Sequence, residues 1–317
     1  MGNLYMIRTS DRVRWDGADL SGQTITSYPS GTPTISGGAY PISDGDFVYA
    51  QSTGTDVAWK LEYATGAVSR VTTADFPEMC ADDGEGNIWV ACGTGVLANQ
   101  RVERIEKDSW TITRTVTLQN SGVCLWVDPY LWVHSPSTVG RFSVYDPSTD
   151  SVVDTFTYRA GSSNPQHALL HDGFVYVADG TSFLYKIDAT DGSVDDTLSF
   201  GQLTRLVGLG DYIYTLSADG SPTTTRLRKI DTATLSVQDT LEDSGTSSGT
   251  GLATNGLDAL YSTLAQNNTV RRIDPDTLTV THTVSFLGSL GQLVYDVPDT
   301  PPPPIVPSNW VVGAVGW

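Results

Sequence analysis

Few residues in this chain have types and spacing that could carry chemistry, and the spacing limits what each could do. His167 and His171 stand in an HxxxH pattern. On a helix that pattern turns both rings toward one metal ion, but on a strand it holds them about 13 Å apart, too far to share one. His134 and His282 have no partner nearby in sequence and read as surface or satisfied histidines. Cys80, Cys92 and Cys124 form an odd set without CxxC or CxxxxC spacing, as expected of buried thiols made in a reducing compartment. Residues 245–249 are Ser- and Gly-rich, yet no GxSxG stands between a strand and a helix to make a nucleophile elbow. Seven acids, Asp16, Glu62, Glu106, Asp146, Asp188, Asp231 and Asp274, are numerous enough to suggest calcium. Their regular recurrence beside a basic residue and a turn points instead to architecture.

The elements that position these groups are clearest in residues 173–200, GFVYVADGTSFLYKIDATDGSVDDTLSF. Phe174 to Val177 is apolar on both faces, so the strand must be covered above and below. A second strand ends in Lys186-Ile187-Asp188, a turn follows, and a third strand carries Thr197. The aromatic residue of the first strand recurs as Tyr5, Tyr49, Trp89, Trp132, Tyr176, Tyr214 and Tyr261, at spacings of 44, 40, 43, 44, 38 and 47. A period in the low forties with several strands per copy is that of a radial propeller array.

Two further columns accompany the first. Trp15, Leu61, Ile105, Tyr145, Ile187, Ile230 and Ile273 each precede one of the seven acids, and in six copies a Lys or Arg precedes the apolar residue, Val144 being the exception. Alternation along a strand puts both charges on one face and the apolar residue on the other. Thr115, Thr155, Thr197, Thr240 and Thr283 mark the outermost strand. A short strand precedes each aromatic strand, as at 166–170 and 204–207, which makes four strands per blade. The first copy has no chain before it to supply that strand, whereas 291–296 is a spare at the other end. The sequence therefore predicts an all-β, seven-bladed β-propeller of four-stranded blades, whose C-terminal strand completes the N-terminal blade and closes the ring, leaving no free sheet edge. In this alignment Cys80 and Cys92 face one another across a hairpin, which leaves a bond between them open.

The "VYVA" strand, the "IDxxTG"-like turn and the closing Phe-Gly of this unit resemble the YVTN surface-layer type of β-propeller repeat, which is akin to the NHL and lactonase-like propellers. The resemblance is at repeat level and spans about residues 3–296. It implies a propeller with a central channel, in a group that includes scaffolds, adhesins and enzymes. Lactonase-like relatives hold a divalent cation at the channel with Glu, Asp and Asn from several blades. At the corresponding starts of the innermost strands stand Ala39, Met79, Gly122, Gln166, Thr204, Gly251 and Gly291, with Glu78 and His167 as neighbours. One carboxylate is no cage for a hard cation, so neither a metal nor another cofactor is expected. A lyase-like site needs a positioned base, for which His167 is the candidate, assisted by Glu78 and Arg205 at the channel mouth.

Composition bounds the partners. The net charge of −18 and sequence pI near 4.3 disfavour nucleic acid and anionic membrane, because phosphate rewards clustered Lys and Arg. No apolar run is long enough for a membrane span, and the start, MGNLYMIRTSDRVRW, lacks the apolar core of a secretory signal. The loops entering the innermost strand and those joining the second and third, about 29–38, 72–78, 93–101, 160–167, 216–226 and 242–251, would form the ligand face. Residues 1–298 are expected to form the propeller, and 299–317 a proline spacer ending in an apolar cluster of Trp310, Val311, Val312, Val315 and Trp317. That cluster reads as an anchor for other protein subunits. The expectation is a non-enzymatic structural or recognition propeller of a larger assembly. Its sharpest form is a bacteriophage virion protein of minor-tail type, made in the host cytoplasm, with the loop face toward a host receptor or glycan. The alternatives are a channel enzyme, hydrolase or lyase, and a bacterial surface adhesion propeller.

Overall fold

The computed structural model describes residues 2–8, 11–27, 41–52, 55–93, 100–118, 122–136, 139–161, 165–179, 183–199, 202–219, 224–243, 251–264, 268–286 and 292–295. These form a seven-bladed β-propeller of four-stranded antiparallel sheets, with no helix among the described residues. Blade 1 holds β1 (Asn3–Ile7), β2 (Asp11–Asp16) and β3 (Thr24–Ser27). Blade 2 holds β4 (Ile42–Ser43), β5 (Phe47–Ser52), β6 (Val57–Glu62) and β7 (Val68–Thr72). Blade 3 runs β8 (Pro77–Asp82), β9 (Asn87–Cys92), β10 (Arg101–Glu106) and β11 (Thr111–Thr117). Blade 4 runs β12 (Cys124–Val127), β13 (Tyr130–Pro136), β14 (Gly140–Asp146) and β15 (Ser151–Arg159). Blade 5 follows as β16 (Pro165–His171), β17 (Phe174–Asp179), β18 (Phe183–Asp188) and β19 (Val194–Ser199). Blade 6 is β20 (Gln202–Leu209), β21 (Tyr212–Asp219), β22 (Thr224–Asp231) and β23 (Ser236–Asp243). Blade 7 is β24 (Leu252–Thr254), β25 (Leu260–Leu264), β26 (Thr269–Ile273) and β27 (Val280–Ser285). The last strand, β28 (Gln292–Tyr295), is the innermost strand of blade 1.

The ring closes as the sequence predicts. β28 pairs antiparallel with β1, Tyr5 facing Val294, and packs beside both β24 and β4. β28 thus gives blade 1 the innermost strand that the other six blades have, and β1 is paired on both sides.

The sequence columns map onto the packing between blades. All seven aromatic residues of the second strand are buried, as are the seven apolar residues that precede the acids. An aromatic ring of this kind removes about 150–250 Å² from water, so the columns dominate the core. Two extend hydroxyls to the next blade: Tyr214 donates to the Pro275 carbonyl at 2.9 Å and Tyr261 to the Gly17 carbonyl at 2.5 Å. The charged face is packed as well. Lys60, Lys186 and Lys229 lie 4.0, 3.9 and 4.0 Å from the ring centroids of Phe47, Phe174 and Tyr212. Lys60 and Lys229 go on to donate to carbonyls of the following blade, Lys107 at 2.5 Å and Asp276 at 3.4 Å.

The acids build the turns between third and fourth strands. Asp188 accepts from the Thr190 N–H at 2.7 Å, Asp146 from Ser148 at 2.7 Å, and Asp274 from Asp276 and Thr277 at 2.9 Å each. Four residues after each acid the backbone turns left-handed: Leu20, Gly66, Trp110, Asp150, Gly192, Leu235 and Leu278 have φ between +44° and +77°. Two of the seven are glycine. At Leu20, Trp110, Leu235 and Leu278 the strained backbone delivers a side chain that is 3–6% exposed, so burial offsets the strain. In blade 5 the neighbour fills the space instead: a β-carbon on Gly192 would fall 1.9 Å from the ring of Phe156 in blade 4.

Candidate functional site

The candidate site is the channel mouth, where the inner strands begin. Of the six loops expected to form that face, only 72–78 is described throughout. Residues 29–38 lie outside the described residues, and the other four do so in part. The tail residues Trp310, Val311, Val312, Val315 and Trp317 also lie outside them.

The inner strands of blades 3, 5 and 6 enter the channel through a bulge at the same rung. In β8 the register skips Glu78, between Pro77 opposite Cys92 and Met79 opposite Ala91. In β16 it skips Gln166, and in β20 it skips Thr204. A bulge inserts one residue and re-aims its neighbours. The equivalent of Gln166 and Thr204 in blade 3 is therefore Glu78, not Met79, whose counterparts are His167 and Arg205. Counting from the aromatic column without the bulge displaces the blade 3 residue by one.

His167 and Arg205 thus share a rung on adjacent inner strands, β16 and β20. Enclosure, then the neighbouring Arg205 guanidinium, push the His167 imidazole down to about 3. A group held so low is a poor proton acceptor at neutral pH. Glu78 belongs to blade 3, and the inner strand of blade 4, β12, lies between its strand and β16. Burial alone raises the Glu78 carboxyl to about 7. Its carboxylate rests against Gly122 of blade 4, whose backbone at φ +83° has no side chain to exclude it. The Gln51 side-chain amide donates to the Glu78 carbonyl and tethers the bulge to blade 2.

The remaining chemistry-bearing groups have structural partners. His134 is fully buried, its Nε2 lies 2.9 Å from the Tyr158 hydroxyl, and burial pushes it down to about 3. His171 reaches across to the Gly210 carbonyl of blade 6 at 2.8 Å. His282 lies beside the Thr281 hydroxyl on the exposed fourth strand. Cys80, Cys92 and Cys124 are buried thiols, none of them in a disulfide. Cys80 faces Val90 across the hairpin, and Cys92 faces Pro77, which corrects the expectation that the two cysteines oppose one another. Burial raises all three thiols, Cys124 to about 12, so they are poor nucleophiles. Among the described residues no group of three or more His, Cys, Asp or Glu is arranged to hold a metal ion.

Two buried acids at this face have no signature in the sequence. Asp179, fully buried at the end of β17, pairs with Arg159 at the end of the preceding blade. Glu103, 4% exposed on β10, accepts the Ala74 N–H at 3.1 Å. Burial raises the Glu103 carboxyl, partly opposed by that hydrogen bond and by Arg101. Asp179 is the last residue of β17 and Glu103 lies inside β10, and each finds its partner outside its own hairpin, Asp179 on the preceding blade and Glu103 in the segment before β8.

No family model matches the chain, and no curated protein matches it. Solved structures do. A chain of Kuenenia stuttgartiensis hydrazine synthase is 15% identical with a TM-score of 0.62, over 79% of this chain and 81% of that one. Apo AztD from Citrobacter koseri is 12% identical with a TM-score of 0.65, over 93% and 97%. At such identity the likeness is one of fold, and it places the chain among the β-propellers.

Proposed function

We propose that this propeller is a non-enzymatic docking and recognition module of a larger assembly, akin to the YVTN and NHL repeat propellers. Its best form is a bacteriophage virion protein of minor-tail type. The observation that carries the reading is where the repeated polar groups go. The acids of the repeat close turns, and its lysines and tyrosines join blade to blade. Such a ring is a rigid platform for its loop face and for whatever its C-terminal peptide engages. Residues 299–317 supply the anchor to neighbouring subunits through Trp310, Val311, Val312, Val315 and Trp317, and the loop face meets a host receptor or glycan. Assemblies made with a chain ending at residue 298 are expected to lose the protein while the propeller itself stays folded. Retention of the shortened chain at full occupancy refutes the docking role.

Glu78 favours one second reading. A carboxyl raised to about 7 at a channel mouth is suited to general acid–base work, as in a hydrolase or lyase. Elemental analysis of dialysed protein separates the two: a stoichiometric divalent cation supports the enzyme. The hydrazine synthase and AztD likenesses contribute nothing to either choice beyond the fold.

A further inference from the structure

The segment between β7 and β8 is held from four points. The Thr73 N–H donates to the Asp56 carbonyl at 2.9 Å, the Ala74 N–H to the buried Glu103 carboxylate at 3.1 Å, and the Phe76 N–H to the Asp56 side chain at 2.9 Å. The Phe76 carbonyl accepts from the Gly93 N–H at 3.1 Å. Three separate segments, through Asp56, Glu103 and Gly93, thus fix Thr73, Ala74 and Phe76. The result of this clamp is that Phe76, at φ +55°, is 51% exposed at the channel-mouth face. A left-handed conformation at a bulky aromatic is uncommon and is retained only where the surroundings over-determine it. Here it holds a phenyl ring out of the core instead of in it. The ring makes no aromatic or cation contact among the described residues, and its neighbour Asp75 is exposed with no hydrogen bond or ion pair among them.

The protein itself shows what such a ring and carboxylate accept. The sequence has four lysines, and every one lies over an aromatic ring: Lys60 on Phe47, Lys107 on Tyr49, Lys186 on Phe174 and Lys229 on Tyr212. Three of them have a carboxylate beside the ammonium, Lys186 with Asp195 at 2.6 Å, Lys107 with Asp82 at 2.6 Å and Lys229 with Asp276 at 3.8 Å. Arginines approach rings less closely, Arg12 at 5.9 Å from Tyr5 and Arg159 at 5.6 Å from Phe183. Phe76 and its exposed sequence neighbour Asp75 offer a ring and an acid with no ammonium of this chain's described residues on them. From this we infer that Phe76 and Asp75 form a docking point for a lysine side chain of a different protein. Charge favours it, since the chain carries −18 overall and the ring's face is the negative pole of its quadrupole. A second copy of this chain is not the donor, because its four lysines are already seated. The clamp supplies the preorganisation that an exposed contact of this strength requires.

The inference deepens the docking reading but stands on the rim and not on the tail. Loss of docking on removal of residues 299–317 and loss of lysine capture at Phe76 are therefore independent results. The test places 4-fluorophenylalanine at position 76 of the full chain and follows its fluorine resonance during titration with Nα-acetyl-lysine methylamide at pH 7.5. A saturable shift is expected, absent with the Nε-acetylated analogue, and weakened on the order of two- to five-fold by Asp75→Asn, which is what an exposed cation–π contact with a nearby charge supports. No shift, or the same shift from both compounds, overturns the proposal. Unchanged thermal melting of the labelled and Asp75→Asn proteins confirms that the clamp is intact.

Discussion

A β-carbon on Gly122 would stand 2.0 Å from Oε2 of Glu78 and 2.6 Å from its β-carbon, so the acid of blade 3 occupies the space that a side chain of blade 4 would take. The close approach and the φ of +83° at Gly122 act together. Gly122→Ala is expected to destabilise by more than about 2 kcal/mol, combining left-handed strain with a clash between two inner strands. Urea denaturation measures it. A midpoint unchanged from the parent protein contradicts the packing described.

Glu78 also makes stability depend on pH. Its carboxyl is raised from 4.5 to about 7, so the folded state holds a proton that the unfolded state has released between those values. The contribution is fully present below about pH 4.5 and is lost as pH rises through 7. The slope is at most about 1.4 kcal/mol per pH unit, and less because part of the carboxylate is open to solvent. Glu78→Gln keeps the neutral form at every pH. Between pH 5 and pH 8 the parent should lose more stability than this variant, and parallel curves would show that the raised carboxyl is not at position 78. Glu103, raised in the same direction, is common to both proteins and drops out of the comparison.

The ring was legible in the sequence because every blade solves the same packing problem. Ile187 and its counterparts must be buried, Asp188 and its counterparts must close a turn, and both demands repeat at blade spacing. Closure by 291–296 was legible for a topological reason, an unpaired inner strand at one end and a spare at the other. The mouth was not. Bulges at Glu78, Gln166 and Thr204 change the register by one without altering composition, and Glu103 and Phe76 acquire their roles from contacts with segments far away in sequence. The left-handed turn position was hidden too, since glycine marks it in two blades while leucine, tryptophan or aspartate serves in the other five.

That turn position reverses a usual substitution order. Leu278 has φ +49° and is 3% exposed, so it combines backbone strain with burial. Leu278→Ala removes the burial and keeps the strain, at about 2–5 kcal/mol. Leu278→Gly removes both. Glycine ordinarily costs about 0.5–1 kcal/mol more than alanine in regular structure, but a left-handed residue gains about 1–2 kcal/mol from losing its β-carbon clash. The glycine variant should therefore be at least as stable as the alanine variant in thermal or urea unfolding. A glycine variant clearly below alanine would mean that the turn relaxes out of the left-handed region.

Ring closure depends on four residues, and Tyr295 concentrates its energy. Its ring stacks on Tyr261 at 5.3 Å and 16°, while the Tyr261 hydroxyl holds the Gly17 carbonyl, so one aromatic pair joins blade 7 to blade 1. Leu293 packs into the same cluster beside Leu4 and Met6. Without β28 the backbone of β1 faces the channel unpaired, and β24 and β4 lose the strand that separates them. Tyr295→Ala is expected to cost about 3–5 kcal/mol, the usual loss for a buried aromatic. A chain ending at residue 286 should show no cooperative unfolding transition and should aggregate through the exposed edge. A chain ending at residue 298 retains β28 and should unfold at the parent's urea midpoint. Cooperative unfolding of the 286-residue chain at that same midpoint would mean that the ring is held by blade-to-blade packing alone, and that β28 fills the channel without closing it.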